Sequence, residues 1–155
     1  MTRRIALILA AMAIGGAAHA DPLDVYGMWA TQAGSAHVSI EDCGDGTPCG
    51  TVVWMDPASM REGLTPEAAT DENNPDPALR DQPVLGLTML SSFERKKRDW
   101  RGGTIYDPES GKSYGSRSKR LESGELQVKG CVGPICQTQV WSPVEDAPAI
   151  SETAG

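Results

Sequence analysis

The pentapeptide Gly111-Lys-Ser-Tyr-Gly115 has the Gly-x-Ser-x-Gly spacing that, in hydrolases, presents a serine hydroxyl on a sharp strand-to-helix turn. Such a serine needs a helix after it and a histidine base later in the chain. The residues after Ser113 alternate like a strand, and His37, the one histidine after residue 20, lies upstream. The same Gly-Lys-Ser does not make a phosphate loop, because Tyr106 stands where that loop wants its first glycine and no helical pattern comes after it. Gly111 reads instead as the positive-φ residue of a hairpin turn opened by Asp107-Pro108.

Metal chemistry has little to work with. A single histidine beyond the first 20 residues leaves no histidine-rich metal site. The acidic runs EDCGDG (41–46) and DENNPD (71–76) offer oxygen ligands but lack a calcium loop's spacing and its closing glutamate. With 21 acids in the chain, a pair of carboxylates carries no information about glycoside cleavage. No metal and no cofactor are expected. The four cysteines, Cys43, Cys49, Cys131 and Cys136, are spaced too loosely for a zinc knuckle. An even count in an exported chain reads as disulfides. Of the three possible pairings, Cys43–Cys49 and Cys131–Cys136 are preferred, since GDGTP and VGPI are turn sequences that return one strand beside the next.

Aromatic residues are the remaining chemical resource. Trp29, Trp54, Trp100 and Trp141 lie on or beside strand-like runs, as do Tyr26, Tyr106 and Tyr114. Their first role is packing. Their sharper role is to line a ligand cavity with a polar mouth. Trp54 and Tyr106 are the candidate wall residues and Arg80 the candidate mouth residue. Trp100 is a further candidate, beside the cationic run ERKKRDWR (94–101), which is either a solvated hairpin tip or a small anion site.

These side chains must be positioned by strands. Residues 1–20 combine Arg3 and Arg4, a short apolar run and AHA at 18–20, the pattern of a cleaved export signal. The run is too short to span a bilayer, and the chain has no second one, so no membrane insertion is expected. Removing those two arginines takes the net charge from −7 to −9, which disfavours nucleic acid as a partner. A periplasmic or secreted chain results. Strand-like runs recur at 25–32, 36–41, 50–55, 87–94, 103–107, 112–121, 125–132 and 136–144, joined mostly by short connectors rich in Gly, Pro and Asp. Eight such strands in an antiparallel meander tend to close, because closure removes unpaired edges. The expected fold is all-β: a single small up-and-down barrel over residues 21–145, with an open sandwich as the alternative. The tail 146–155 has no periodicity.

One connection breaks the rhythm. Residues 56–86 contain NNPDPALRDQP (73–83), three prolines among asparagines, aspartates and an arginine. Asp76 is placed to cap a short helical turn starting at Pro77, where a missing N–H is harmless. Arg80, four residues on, is expected to pair with Asp76. A stiffened flap across one barrel end is the reading.

GMW (27–29), CGTVVW (49–54), NPDPALRDQPVLG (74–86), GTIYDPESGKSY (103–114) and KGCVGPICQTQVW (129–141) together resemble a family of small exported bacterial proteins known as domain of unknown function 2147. The resemblance implies a lipocalin-like barrel and no particular activity. Gly27-x-Trp29 also resembles the opening signature of lipocalins, in which an arginine from a late strand lies across the tryptophan. Here Arg117 or Arg120 would supply it.

The leading functional expectation is a non-enzymatic barrel that binds a small apolar or amphipathic molecule. The alternative is an envelope protein that meets a protein partner, with Trp29, Trp54, Val128 and Val140 filling the interior. An enzyme comes third. The sequence is silent on oligomeric state.

Overall fold

A computed structural model describes residues 18–145. The expected export signal, residues 1–20, therefore lies almost wholly outside the described residues, and the 146–155 tail wholly so. Nine strands run in chain order: β1 Gly27–Ala30, β2 Ala36–Asp42, β3 Pro48–Met55, β4 Thr88–Ser91, β5 Glu94–Arg95, β6 Trp100–Asp107, β7 Lys112–Arg120, β8 Leu126–Val132 and β9 Ile135–Pro143. Every pairing is antiparallel. The sheet runs β4-β3-β2-β1-β9-β8-β7-β6-β5 and is closed by β4 pairing with β6, so eight strands form a ring and β5 is an extra strand beside β6. The meander closes as its alternation and short connectors require.

Alternate residues face inward. Val38 and Ile40 on β2, Leu126 and Val128 on β8, and Ser116 and Ser118 on β7 are buried, while their neighbours along each strand are more exposed. Gly103 on β6 has no room for a side chain, because a Cβ there would overlap the Phe93 ring. Trp29, Trp100 and Trp141, each at most 2 % exposed, fill one end of the ring. A buried aromatic removes on the order of 200 Å² from water, a gross gain of about 5 kcal/mol each before ordering entropy.

That end is plugged by the segment preceding β1. The indole N–H of Trp29 donates to the Val25 carbonyl and that of Trp100 to the Leu23 carbonyl, both at 2.9 Å. Leu23 and Val25 place their own side chains in the same core. Arg120 closes the arrangement: its guanidinium lies 5.5 Å from the Trp29 ring centroid and reaches Asp24 at 3.2 Å. Of the two candidate arginines, then, Arg120 covers Trp29, whereas Arg117 is exposed on the outer wall.

The flap spans the chain between β3 and β4 and is compact. Asp71 N–H donates to the Gln82 carbonyl and Val84 N–H to the Ala69 carbonyl, around an isolated bridge between Thr70 and Pro83. It carries three short 3₁₀ turns at Pro57–Ser59, Pro66–Ala68 and Pro77–Leu79. Asp76 caps the third through Ala78 N–H at 3.0 Å, with Pro77 first in the turn. The expected Arg80–Asp76 ion pair does not form. The Arg80 side chain folds back and its Nε donates to the Asn74 carbonyl at 2.8 Å, which satisfies a backbone acceptor within the loop.

Cys43–Cys49 and Cys131–Cys136 are both disulfides, the first in the β2–β3 hairpin and the second in the β8–β9 hairpin. Loops this short contribute about 2–2.5 kcal/mol each in the chain-entropy model. Trp29→Ala is therefore expected to cost more, about 3–5 kcal/mol, than opening either disulfide alone. Urea unfolding checks this order; unfolding on opening one disulfide, with Trp29→Ala tolerated, would reverse it.

Candidate functional site

The polar flap sequence anchors to the barrel through one buried carboxylate. Asp71 is fully buried, and accepts hydrogen bonds from the Tyr106 hydroxyl at 2.6 Å, the Asn74 amide at 2.6 Å and the Gln82 amide at 3.0 Å. Burial alone would raise its pKa, but these three donors hold it below the usual carboxylate range. Burial and the adjoining Asp71 carboxylate push the Tyr106 hydroxyl up to about 12. Next along the chain, the Asn73 amide donates to the Glu109 carbonyl at 2.8 Å. The Asn73 carbonyl fills the space where a Cβ of Gly111 would stand, and Gly111 itself has φ +69°. Two blocks far apart in sequence, 71–74 and 106–111, thus form one latch.

The latch leaves a cleft of about 440 Å³ between flap and barrel. Val52 and Met55 of β3, Ala36 of β2 and Met89 of β4 form its barrel side. Met60, Leu64, Ala69 and Val84 face them from the flap, and the two sets pack as one apolar cluster. Thr31, Ser35, Asn73, Asp107 and Glu109 add polar lining. An ion pair, Arg61 to Glu72 at 3.0 Å, joins the early and late parts of the flap at the same cleft. Both partners are largely exposed, so this pair is weak and readily opened. Methionines suit such a wall, because their flexible thioethers adapt to irregular apolar shapes.

None of the four residues expected to bind ligand lines this cleft. Trp54 is 39 % exposed and stacks on His37 outside the barrel, with ring centroids 4.3 Å apart. The cause is a bulge: His37 pairs with Trp54 but Val38 pairs with Val52, so Val53 is the extra residue. A slip of one residue sends the side chain to the opposite face. Tyr106 acts in the latch, Arg80 in the loop interior and Trp100 in the plugged end. At the cationic tip, Lys96 pairs with Glu94 and Arg101 with Asp99. Val140 is only half-buried, and Trp54 lies outside, so of the four residues expected to fill the interior only Trp29 and Val128 do so. The residues that sequence reasoning missed are Met60, Leu64, Ala69 and Val84, apolar positions without regular spacing inside a polar connection.

The acidic runs have structural work. Asp42 accepts from the N–H groups of Gly44 and Gly46, and Asp45 from Thr47. Among the described residues, no three His, Cys, Asp or Glu side chains converge on a common point where a metal ion could be held.

Residues 27–142 match a family described as an uncharacterised protein conserved in bacteria, DUF2147. None of the curated proteins matches the chain. Among solved structures, the chain is similar to protein HP1028 from the human pathogen Helicobacter pylori, which is described as belonging to the lipocalin family. The likeness has a TM-score of 0.66 at 23 % identity and covers 80 % of this chain and 85 % of that one. At this identity the likeness concerns the fold, which is lipocalin-like.

The latch has a defined pH window. The lowered Asp71 pKa means its contribution is present above the unfolded value of about 3.9 and is lost as pH falls through the folded value. The raised Tyr106 pKa means its contribution is complete below about 10 and is lost as pH rises towards 12. Tyr106→Phe removes Tyr106's share of the alkaline loss and leaves Asp71 one donor short. At neutral pH it is expected to speed hydrogen exchange at the Asp71 and Val84 amides by roughly ten-fold, with β8 unchanged. Equal acceleration in flap and β8 would show that Tyr106 serves the whole barrel instead.

Proposed function

The chain belongs to the DUF2147 family of proteins conserved in bacteria, and we propose that this member binds a small apolar or amphipathic molecule in the cleft beneath its flap. The cleft itself carries the reading. Its volume of about 440 Å³ falls within the range of small-molecule sites. Its apolar walls come from both the barrel and the flap, and the ion pair at its rim, within the flap, is weak, so on this reading the ligand enters by flap movement. The plugged end offers no such space, since Trp29, Trp100 and Trp141 occupy it. The activity proposed is binding rather than catalysis: the groups with shifted pKa nearest the cleft, Asp71 and Tyr106, are engaged with each other.

On the same reading, residues 1–20 are a cleaved export signal, 21–145 the working barrel and 146–155 a tail. The two disulfides fit an oxidising compartment. In a bacterium that compartment is the periplasm or the exterior.

A second reading, an envelope protein that meets a protein partner, is favoured by one observation. Val132 and Ile135 are 67 % and 76 % exposed at the tip of the β8–β9 hairpin, beside the Cys131–Cys136 disulfide. Exposed apolar surface fixed in place is a feature of contact sites.

Fluorescence titration with the neutral probe N-phenyl-1-naphthylamine tests the binding reading. Saturable enhancement is expected with the native protein. Ala36→Phe, which fills the barrel side of the cleft, should weaken it by about ten-fold or more, as a loss of roughly 1.4 kcal/mol implies. Met60→Trp does the same from the flap side should Ala36→Phe fold poorly. Equal affinity in folded variants, or no saturation at all, would overturn the reading. Native mass spectrometry of protein from its own cells separates the two readings: a retained small adduct supports binding, a co-purifying protein the alternative.

A further inference from the structure

Four cations share one stretch of the outer wall, away from the cleft. Arg101 on β6, Arg117 and Lys119 on β7, and Lys129 on β8 line a groove of about 200 Å³ together with Gln127 and Asp99. The pleat accounts for their convergence. Ser116 and Ser118 face the barrel interior, so Arg117 and Lys119 face out. Leu126 and Val128 face in, so Gln127 and Lys129 face out. Arg117 stands directly across from Lys129, and Lys119 across from Gln127.

This arrangement disfavours folding. Like charges directly opposite on neighbouring strands destabilise a sheet. Acids are not scarce in this chain, which has 21 of them against 14 lysines and arginines. Yet among the described residues none of Arg117, Lys119 and Lys129 forms an ion pair. The one acid in the groove, Asp99, has both carboxylate oxygens on Arg101 Nε, at 2.8 and 2.9 Å. Three cations are left uncompensated within one small concavity.

We propose that this groove is a binding site for a small soluble molecule bearing a phosphate or diphosphate group. The guanidinium of Arg117 presents a planar fork that suits two phosphate oxygens, with Lys119 and Lys129 as point charges beside it and Arg101 at the edge. The groove is too small for a polymer to be read within it. The negative charge of the whole chain opposes approach to an anionic bilayer or to nucleic acid, but does not keep a small anion from a local cationic pocket. The site shares no lining residue with the cleft beneath the flap and stands independently of the function proposed there.

Pyrophosphate and inorganic phosphate are the probes, titrated into the native protein at about 50 mM ionic strength, where screening leaves surface charge effective. Backbone amide shifts at 117–119 and 127–129 are expected to saturate together and to weaken as salt is added. In the double variant Arg117→Gln with Lys129→Gln, pyrophosphate affinity should fall by about ten-fold or more. Its melting temperature should stay level or rise, because a repulsive cross-strand pair has gone. Lys129→Gln alone keeps the test open should the double variant fold poorly. Unsaturable shifts, or unchanged affinity in a folded variant, would overturn the site. Binding to phosphatidylglycerol vesicles with no response to pyrophosphate would overturn it too, and would assign the wall to a membrane surface instead.

Discussion

Two indole-to-carbonyl hydrogen bonds set the plan of this barrel. Trp29 and Trp100 each donate to the segment preceding β1, at Val25 and Leu23, and so draw that segment in as a plug. With Trp141 they fill one end of the ring. Indole N–H groups are costly to bury unpaired, so the plug and the packing stand or fall together. A closed sheet of eight short strands has little interior volume, and here one end is spent on aromatic rings. The larger cleft lies at the flap.

The flap in turn depends on a polar contact. A buried carboxylate is tolerated when its oxygens are satisfied, and Asp71 meets that condition with three side-chain donors. The contact explains why so stiff and polar a segment interrupts a run of hairpins. Prolines at 75, 77 and 83 limit the conformations the free loop can take, so less entropy is lost when it docks. Asn73 and Gly111 fit backbone to backbone at the β6–β7 turn. The exposed Arg61–Glu72 pair joins two parts of the flap at the cleft and adds little to this anchoring.

Much of this is legible in the sequence, for reasons of local physics. Strand alternation, turn residues and short connectors define β2, β7 and β8 almost to the residue. Asp76-Pro77 announces its turn because capping is a matter of adjacent residues. The two disulfides go with their turn sequences, and of the two arginines that could cover Trp29, Arg120 is the one. The wall of the cleft is not legible. Gly50, Val52 and Trp54 share one face of an ideal strand, and only a bulge opposite His37 and Val38 turns Trp54 outward. Nothing in GTVVW signals that extra residue. Met60, Leu64 and Val84 have no period, because the flap follows the shape of its docking site rather than a regular element. Spacing alone assigns Arg80 to Asp76, yet a nearer acceptor, the Asn74 carbonyl, takes its side chain.

Methyl NMR with labelled methionine, leucine and valine, during titration with N-phenyl-1-naphthylamine, most directly tests a lipocalin-like barrel closed at one end and receptive at the other. Concerted shifts are expected at Met55, Met60, Leu64 and Met89, with Leu126 and Val128 still. Shifts centred on Leu126 and Val128 would mean that the ligand enters the ring itself, and the plugged barrel with its receptive flap would be contradicted.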